Sequence, residues 1–154
     1  MELLRIIGIY PETISDGYGL RYAIYFAGCA HRCPGCHNTE RHDPRRGEPL
    51  TVERAETICA AIAANPILDG VTLSGGDPLL QPEAMAAFLR LVKERTGQNV
   101  WCYTGYTLEE CLADPARREC LRWIDTLVDG RYVEALRDLS LDFRGSSNQR
   151  IIDV

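Results

Sequence analysis

Residues 28–38 read Gly-Cys-Ala-His-Arg-Cys-Pro-Gly-Cys-His-Asn. Three cysteines fall within eight positions here, in the spacing C-x3-C-x2-C, and no fourth cysteine stands at a matching distance. A closed zinc site usually takes four protein ligands, commonly as two C-x2-C pairs that are well separated in sequence. An iron–sulfur cluster held by three cysteines leaves one iron without a protein ligand, so that iron can bind a substrate. The spacing therefore favours a cluster that takes part in chemistry.

Two other interpretations of the three cysteines stay open from the spacing alone. Zinc or an electron-transfer cluster would also use them as ligands, and three thiols can lie close together in a loop without binding a metal. Four further cysteines are scattered along the chain: Cys59, Cys102, Cys111 and Cys120. We expect each of them to be a small buried hydrophobic residue, and the last three are the alternative candidates for a second metal site.

The chain of 154 residues is long enough for one domain with a hydrophobic core, which we place at residues 1–154, and too short for two ordinary domains. It is 45% hydrophobic and 25% charged, and its net charge of −5 argues against a nonspecific nucleic-acid or membrane-surface binder. No apolar run approaches the roughly 20 residues that cross a bilayer, and no basic region followed by an apolar signal core opens the chain. We therefore expect a cytoplasmic protein with reduced cysteines.

Apolar runs alternate with helical patterns along the chain. Strands are predicted at residues 3–10, 22–27, 70–73, 99–103, 124–128 and 150–154, and helices at 51–65, 82–95, from 107 onward and at 114–123. The first two helices each have an apolar face: Ala55, Ile58, Cys59 and Ile62 in one, and Met85, Phe88, Leu89 and Val92 in the other. The alternation predicts an α/β fold. The chain is too short for the roughly 250 residues of a closed eight-fold barrel, so we expect an incomplete, open (βα) barrel with a mostly parallel sheet.

Four loops directly follow predicted strands: the cysteine loop and residues 74–78, 103–106 and 129–130. The carboxyl ends of parallel strands share one edge of the sheet, where such folds place their sites. Each loop taken alone would need its Gly, Pro and Asp residues simply for turning. The four loops together favour a common site at this edge.

The cysteine spacing resembles the signature of radical S-adenosylmethionine (SAM) enzymes, and residues 74–78, Ser-Gly-Gly-Asp-Pro, resemble their GGEP-type motif with Asp77 at the acidic position. Glycines without Cβ atoms let a ligand approach the backbone closely. The resemblance implies an open barrel of the radical-SAM type and a [4Fe-4S] cluster whose free iron binds SAM. The implied catalytic and metal-ligating residues are Cys29, Cys33 and Cys36. The implied SAM-binding residues are Gly35, Cys36, His37, Gly75 and Gly76.

Residues 16–21, Asp-Gly-Tyr-Gly-Leu-Arg, resemble the DGPGxR segment of glycyl-radical-enzyme activases, which lies near the peptide substrate, with Tyr18 in place of the proline. Residues 74–78, 101–106, 128–131 and 143–150 together resemble the activases of anaerobic ribonucleoside-triphosphate reductases, so the resemblance covers nearly the whole chain. Its most specific part, residues 144–150, forms either a capped turn or a contact with the reductase. The implied contacts with the substrate peptide are Asp16, Arg21, Arg144 and Asn148.

The resemblance implies an enzyme of the radical SAM oxidoreductase class. SAM would be cleaved reductively at the cluster, and the 5′-deoxyadenosyl radical would take a hydrogen from a glycine of the large reductase subunit and leave a glycyl radical. A low-potential donor such as flavodoxin would supply the electron. Three alternatives remain: an activase of another glycyl radical enzyme of the pyruvate formate-lyase type, a radical SAM synthase for a small molecule, and a non-enzymatic iron–sulfur or zinc-binding module.

Overall fold

The computed structural model describes residues 1–31 and 43–154, and within them seven strands form a single sheet. The strands are β1 Arg5–Thr13, β2 Arg21–Phe26, β3 Glu48–Pro49, β4 Gly70–Gly75, β5 Val100–Tyr103, β6 Thr126–Asp129 and β7 Arg150–Asp153. Their order across the sheet is β3-β1-β2-β4-β5-β6-β7. The central strands β2, β4, β5 and β6 run parallel to one another. Since β3 and β7 stand at opposite ends of this order, the sheet is open over the described residues.

The helices of the described residues are α1 Val52–Ala63, α2 Pro82–Thr96, α3 Leu108–Ala113 and α4 Pro115–Leu121, with a short 3-10 helix at Glu134–Leu136. Helix α2 packs between α1 and α4, and α3 packs against α4. The chain crosses from β4 to β5 through α2 and from β5 to β6 through α3 and α4. Such crossovers are what parallel pairing requires. None of these helices is long and apolar enough to span a membrane.

Local signals set the ends of the two long helices as predicted. The Thr51 side chain accepts a hydrogen bond from the Arg54 N–H and so caps the start of α1. Pro82 stands in the first turn of α2, and Gly97, with φ of 64°, ends that helix in the left-handed conformation. The apolar face predicted for each helix is buried, which confirms the helical spacing of the hydrophobic residues.

One hydrophobic core lies between the helices and one face of the sheet. Phe26 at the end of β2 contacts Phe88 of α2 edge to face, with ring centroids 6.1 Å apart. A fully buried row of paired residues crosses this face of the central strands: Ile24, Leu73, Cys102 and Leu127. Because side chains alternate along a strand, the residues between them point to the opposite face, which the core does not use.

The cysteines outside the cysteine loop belong to this core, which confirms the prediction of small buried residues: Cys59, Cys102, Cys111 and Cys120. Burial raises the pKa of the Cys59 thiol to about 11 and the pKa values of Cys111 and Cys120 to about 12. Burial also raises the pKa of Cys102. These thiols are therefore neutral at physiological pH, whereas a metal takes the thiolate.

The sheet is mostly parallel and open, as predicted, and its edge strands pair antiparallel. The parallel centre is confirmed, but β1 and β3 pair antiparallel beside β2, and β7 pairs antiparallel with β6. Residues 14–20, which connect β1 to β2, contain no helix, and a connection this short permits only antiparallel pairing. The two-residue strand β3 was not predicted. Strand β4 also runs on to Gly75, two residues beyond its predicted end.

We expect Thr107→Ala to lower the free energy of unfolding by about 1 kcal/mol. The Thr107 hydroxyl accepts from the Glu110 N–H while the Glu110 carboxylate accepts from the Thr107 N–H, so the variant loses the capping box that starts α3. Urea denaturation measures the loss. Thr57→Ala is the control, since Thr57 is an exposed threonine inside α1 whose hydroxyl bonds the Glu53 carbonyl. An equal loss in the two variants would contradict the prediction.

Candidate functional site

A buried carboxylate at the carboxyl edge of the sheet brings the predicted loops together. Asp77 follows β4 and is 2% exposed. Its Oδ1 accepts hydrogen bonds from the Leu79 N–H at 2.9 Å and from the Thr104 hydroxyl at 2.8 Å, and its Oδ2 accepts from the Gly105 N–H at 2.9 Å. Thr104 and Gly105 belong to the loop after β5. The predicted convergence of the loops after β4 and β5 is therefore confirmed.

The described part of the cysteine loop is hydrogen-bonded to Gly76 and Asp77 at the same edge of the sheet. The Gly76 N–H donates to the Phe26 carbonyl at 2.7 Å, and the Asp77 N–H donates to the Gly28 carbonyl at 2.6 Å. Nε2 of His31 lies 2.7 Å from Oδ2 of Asp77. A carboxylate oxygen accepts, so we assign the imidazole N–H as the donor in this bond. The cysteine loop thus begins directly beside the Gly-Gly segment.

Cys29 stands between these attachments and is half-buried. The ligand atoms of Cys29, His31 and Asp77 lie within 4.8 Å of one another. A thiolate, an imidazole and a carboxylate form a donor set that zinc accepts, and a carboxylate-bound histidine is common next to a metal. The remaining predicted residues of the loop lie outside the described residues: Cys33, Gly35, Cys36 and His37. Ligation of a cluster by three cysteines therefore stays a prediction.

The structure requires a glycine at the first position of the Gly-Gly segment. Gly75 has φ of 113°, and a Cβ atom built on it would lie 2.3 Å from the Phe26 carbonyl oxygen. Glycine is therefore required by the pairing of β4 with β2, whatever ligand binds nearby. Gly76 follows with its N–H directed at the same carbonyl. The SAM-binding roles of Gly75 and Gly76 stay predictions.

A cleft of about 510 Å³ lies over the sheet face that the core does not use. Tyr25 and Ser74 are paired on this face of β2 and β4, and Tyr103 shares it on β5. All three line the cleft. Asp16 and Arg144, two of the four predicted peptide contacts, also line it. The fold therefore brings these two residues to one cavity from segments that lie far apart in the sequence.

Arg21, the third predicted peptide contact, is buried at the opposite end of β2 from the cysteine loop. Its guanidinium donates to the Thr72 hydroxyl at 2.8 Å, to the Tyr18 carbonyl at 2.9 Å and to the Asn99 side-chain oxygen at 2.7 Å. Burial lowers the pKa of Arg21. These bonds tie the segment that carries Asp16 to β4 and to the residue preceding β5, so Arg21 holds a wall of the cleft. Contact with a peptide stays a prediction.

The run at residues 144–150 is a turn fastened by its own side chains. Oε1 of Gln149 accepts from the N–H groups of Gly145 at 2.8 Å and Ser146 at 3.1 Å, and Nε2 of Gln149 donates to the Gly130 carbonyl at 3.0 Å. The Asn148 amide donates to the Arg131 carbonyl at 2.8 Å and accepts from the Ser146 hydroxyl. Asn148, the fourth predicted peptide contact, thus anchors the turn. Its role as a peptide contact stays a prediction.

The end of that run is fixed by ion pairs at the carboxyl end of β6. Arg150 donates through Nε to Asp129, which is 1% exposed, at 3.1 Å, and through Nη2 to Glu109 at 2.7 Å. The hydrogen bonds from Arg150 lower the pKa of Glu109 to about 2. The bonds to Asp129 and Glu109 in turn raise the pKa of Arg150. The turn at 144–149 is therefore held at both of its ends.

An aromatic cluster beside the cleft was not predicted from the sequence. Trp101 contacts the rings of Tyr18 and Phe143 edge to face, with centroids 5.2 and 5.5 Å away. Phe143 has φ of 57°, an unusual backbone conformation for a residue with a side chain. Tyr18 stands where the activase segment has proline, and its ring packs on Trp101 instead. The available signal was the alternation in β5, which puts Trp101 on the face opposite the core.

Comparison with known proteins identifies relatives over almost the whole chain. The 4Fe-4S single cluster domain family matches residues 15–152. An anaerobic ribonucleoside-triphosphate reductase-activating protein of Salmonella typhi is 40% identical over 150 residues, which cover 95% of this chain and 96% of that protein. Proteins of the same name from Escherichia coli K12 and Enterobacteria phage T4 are 39% and 34% identical, over 91% and 93% of this chain and 92% and 90% of their own lengths.

We expect Gly75→Ala to destabilise the fold by at least about 2 kcal/mol, because the added Cβ meets the backbone of β2 and φ is positive. Gly97→Ala is the matched control. Gly97 also has positive φ, at 64°, but a Cβ there would meet nothing within 4 Å. The free energy of unfolding of this control should therefore fall by only about 1 kcal/mol. Chemical denaturation of both variants checks this, and equal losses would mean that the contact with β2 does not matter.

Proposed function

The chain belongs to the family of anaerobic ribonucleoside-triphosphate reductase-activating proteins, and we propose that it activates such a reductase by radical SAM chemistry on a [4Fe-4S] cluster. The observation that carries the proposal is the attachment of the cysteine loop beside the Gly-Gly segment, at the same sheet edge as the polar cleft. Residues 1–154 then form one activase domain. Its open sheet with parallel central strands corresponds to an incomplete barrel of the radical-SAM type.

The donor set of the loop fits a cluster that binds SAM. Cys29 stands at the carboxyl edge of the parallel strands, next to the backbone of Gly76, and the sequence supplies Cys33 and Cys36 within the same loop. Cys29, Cys33 and Cys36 would hold the cluster, which would supply one electron for the cleavage of SAM to methionine and a 5′-deoxyadenosyl radical that would take a hydrogen from a glycine of the reductase. We assign Gly35, Cys36, His37, Gly75 and Gly76 to SAM binding, and the backbone of the three glycines admits a ligand closely.

We propose that the glycine-bearing peptide of the reductase binds in the cleft. Asp16 and Arg144 present opposite charges from its two walls, and such groups can pair with the polar backbone and side chains of an extended segment. The floor is neutral, because it consists of the phenols of Tyr25 and Tyr103 and the hydroxyl of Ser74, and burial raises the pKa of Tyr103 further. Tyr25, Tyr103 and Phe143 also line the cleft and would keep water away from a radical intermediate.

One observation favours a second candidate function, a zinc-binding module. Cys29, His31 and Asp77 carry three ligand atoms of kinds that zinc accepts, all within 4.8 Å, and a bound zinc would replace the His31–Asp77 hydrogen bond. The match to the 4Fe-4S single cluster domain family supports iron instead. Metal analysis after anaerobic purification separates the two candidates, because a zinc module would hold zinc, lack iron and show no spectral response to SAM.

We expect anaerobic reconstitution with iron and sulfide to load about four irons per chain, and the loaded protein to release 5′-deoxyadenosine from SAM under reduction. Cys29→Ala, Cys33→Ala and Cys36→Ala should each abolish this release, because two cysteines cannot hold the cluster in place. Cys59→Ala and Cys120→Ala are the controls. Their thiols lie in the core, so they should keep the activity with a packing loss of order 1 kcal/mol. SAM cleavage that survives in all three loop variants would refute the cluster assignment.

We expect the loaded protein, mixed anaerobically with SAM, a reductant such as reduced flavodoxin and the cognate anaerobic reductase, to generate a glycyl EPR doublet on the large reductase subunit. Arg144→Ala should lower the doublet at least fivefold while uncoupled SAM cleavage stays within twofold, because Arg144 lines the cleft. Arg137→Ala is the control, since Arg137 is an exposed arginine of the same segment that pairs with Glu134 at 3.9 Å.

Two outcomes would contradict this placement. Equal loss of the doublet and of SAM cleavage in Arg144→Ala would move Arg144 from the partner contact to the SAM site or to the fold. A doublet that forms only on a different glycyl radical enzyme, of the pyruvate formate-lyase type, would assign the chain to another branch of activases.

A further inference from the structure

We propose that Asp77 and His31 are positioning residues that clamp the cysteine loop on both sides of Cys29. The inference rests on the proposed function for its purpose, since the clamp would fix a cluster ligand in front of the Gly-Gly segment. It assigns to Asp77 a task that differs from contact with SAM.

One residue makes both attachments. On the amino side of Cys29, the Asp77 N–H donates to the Gly28 carbonyl at 2.6 Å. On the carboxyl side, Oδ2 of Asp77 accepts from Nε2 of His31 at 2.7 Å. Cys29 is therefore the middle of a short span whose two ends are held by the backbone and the side chain of the same aspartate. A thiolate so placed has little freedom to move along or away from the sheet edge.

The Asp77 carboxylate has no acceptor position left for a ligand. A carboxylate offers about four lone-pair positions. Leu79 N–H and the Thr104 hydroxyl occupy Oδ1, and Gly105 N–H and His31 occupy Oδ2. A polar group this deeply buried is tolerated only when it is hydrogen-bonded. The acidic position of the Gly-Gly motif therefore acts on the cysteine loop.

The His31 ring is itself enclosed, which makes the clamp rigid. Its side chain is 4% exposed and its ring meets Tyr106 edge to face, with centroids 4.5 Å apart. A Cβ atom built on Gly105 would lie 2.3 Å from His31, so that glycine makes room for the ring. Arg117 stacks 3.8 Å from the centre of the Tyr106 ring and donates to its hydroxyl at 2.9 Å. The loop after β5 thus forms a seat for the histidine.

The decisive experiment begins with the metal-free protein, so that it does not depend on cluster assembly. His31→Phe keeps a ring for the seat and removes the bond to Asp77, and Asp77→Asn keeps the shape of the side chain and weakens the same bond. We expect hydrogen exchange of the Gly76 and Asp77 amides, which donate to the cysteine loop, to become at least tenfold faster in both variants. The double variant should exchange no faster than the faster single variant, since both changes cut one coupled contact.

A matched control separates the clamp from general destabilisation. Asp125→Asn removes a carboxylate that accepts from Val100 N–H and pairs with Lys93 at the amino end of the central strands. Asp125→Asn should lower the global stability, so that all core amides exchange faster. The ratio of the exchange rates of the Gly76 and Asp77 amides to those of the other core amides should stay at its wild-type value. Unchanged exchange in His31→Phe, or the same relative acceleration in Asp125→Asn, would overturn the clamp.

The iron-loaded protein supplies the second measurement. After reconstitution, both clamp variants should lose iron to a chelator at least fivefold faster than the wild type, and the EPR spectrum of their reduced cluster should shift less on addition of SAM. Wild-type rates of iron loss in both variants would overturn the role of the clamp at Cys29. A wild-type protein that takes up no cluster would instead refute the proposed function, and exchange in the metal-free protein would still decide whether the clamp exists.

Discussion

The site depends on the hydrogen bonds that the buried Asp77 carboxylate accepts. Asp77 is 2% exposed, and a charge so far from water is tolerated only when donors surround it. Those donors come from three places in the chain: the turn at Leu79, the loop after β5, and His31 of the cysteine loop. These segments meet only in the folded sheet, and their bonds hold the residues on either side of Cys29 beside Asp77. Asp77 thereby joins the cysteine loop and the loops after β4 and β5 at the carboxyl edge of the sheet.

One face of the sheet carries the hydrophobic core, and the opposite face carries the cleft. The helix-covered face holds the core, including the Phe26–Phe88 contact, and leaves the other face free to carry Tyr25, Ser74 and Tyr103. That second face is ordered in part by the aromatic contacts of Trp101 with Tyr18 and Phe143. Hydrogen bonds add to this order, through buried Arg21 on one wall and the Gln149 amide on the other. Arg21 and Asn148 thereby support the residues that line the cleft, and their contacts with a peptide stay predictions.

Local signals in the sequence predicted the helices and the central strands, because Thr51, Pro82 and Gly97 act within a few residues of where they stand. The clustering of loops at the carboxyl edge also followed from the alternation of strands and helices. The antiparallel edges did not, since pairing between distant strands leaves no short-range pattern. The direction of the Asp77 side chain could not be predicted either. A resemblance places the residue near a ligand, while its actual donors, Thr104 and Gly105, become neighbours only through the register of β4 and β5.

The open sheet has a consequence for how a protein substrate could enter. A glycine within another folded protein arrives on a loop, and both strands of that loop must pass the rim of the cleft. The walls around Asp16 and Arg144 are joined to the sheet by side-chain bonds, such as those from the Thr72 hydroxyl to the Asp16 carbonyl at 2.6 Å and from Gln149 to Gly130 at 3.0 Å. Neither wall is a strand of the parallel centre. Opening the walls therefore breaks a few hydrogen bonds and aromatic contacts but no strand pairing, so its free-energy cost lies below that of unfolding the sheet. The hydrogen bonds that hold the Asp77 edge involve neither of these walls, so the position of Cys29 does not depend on them.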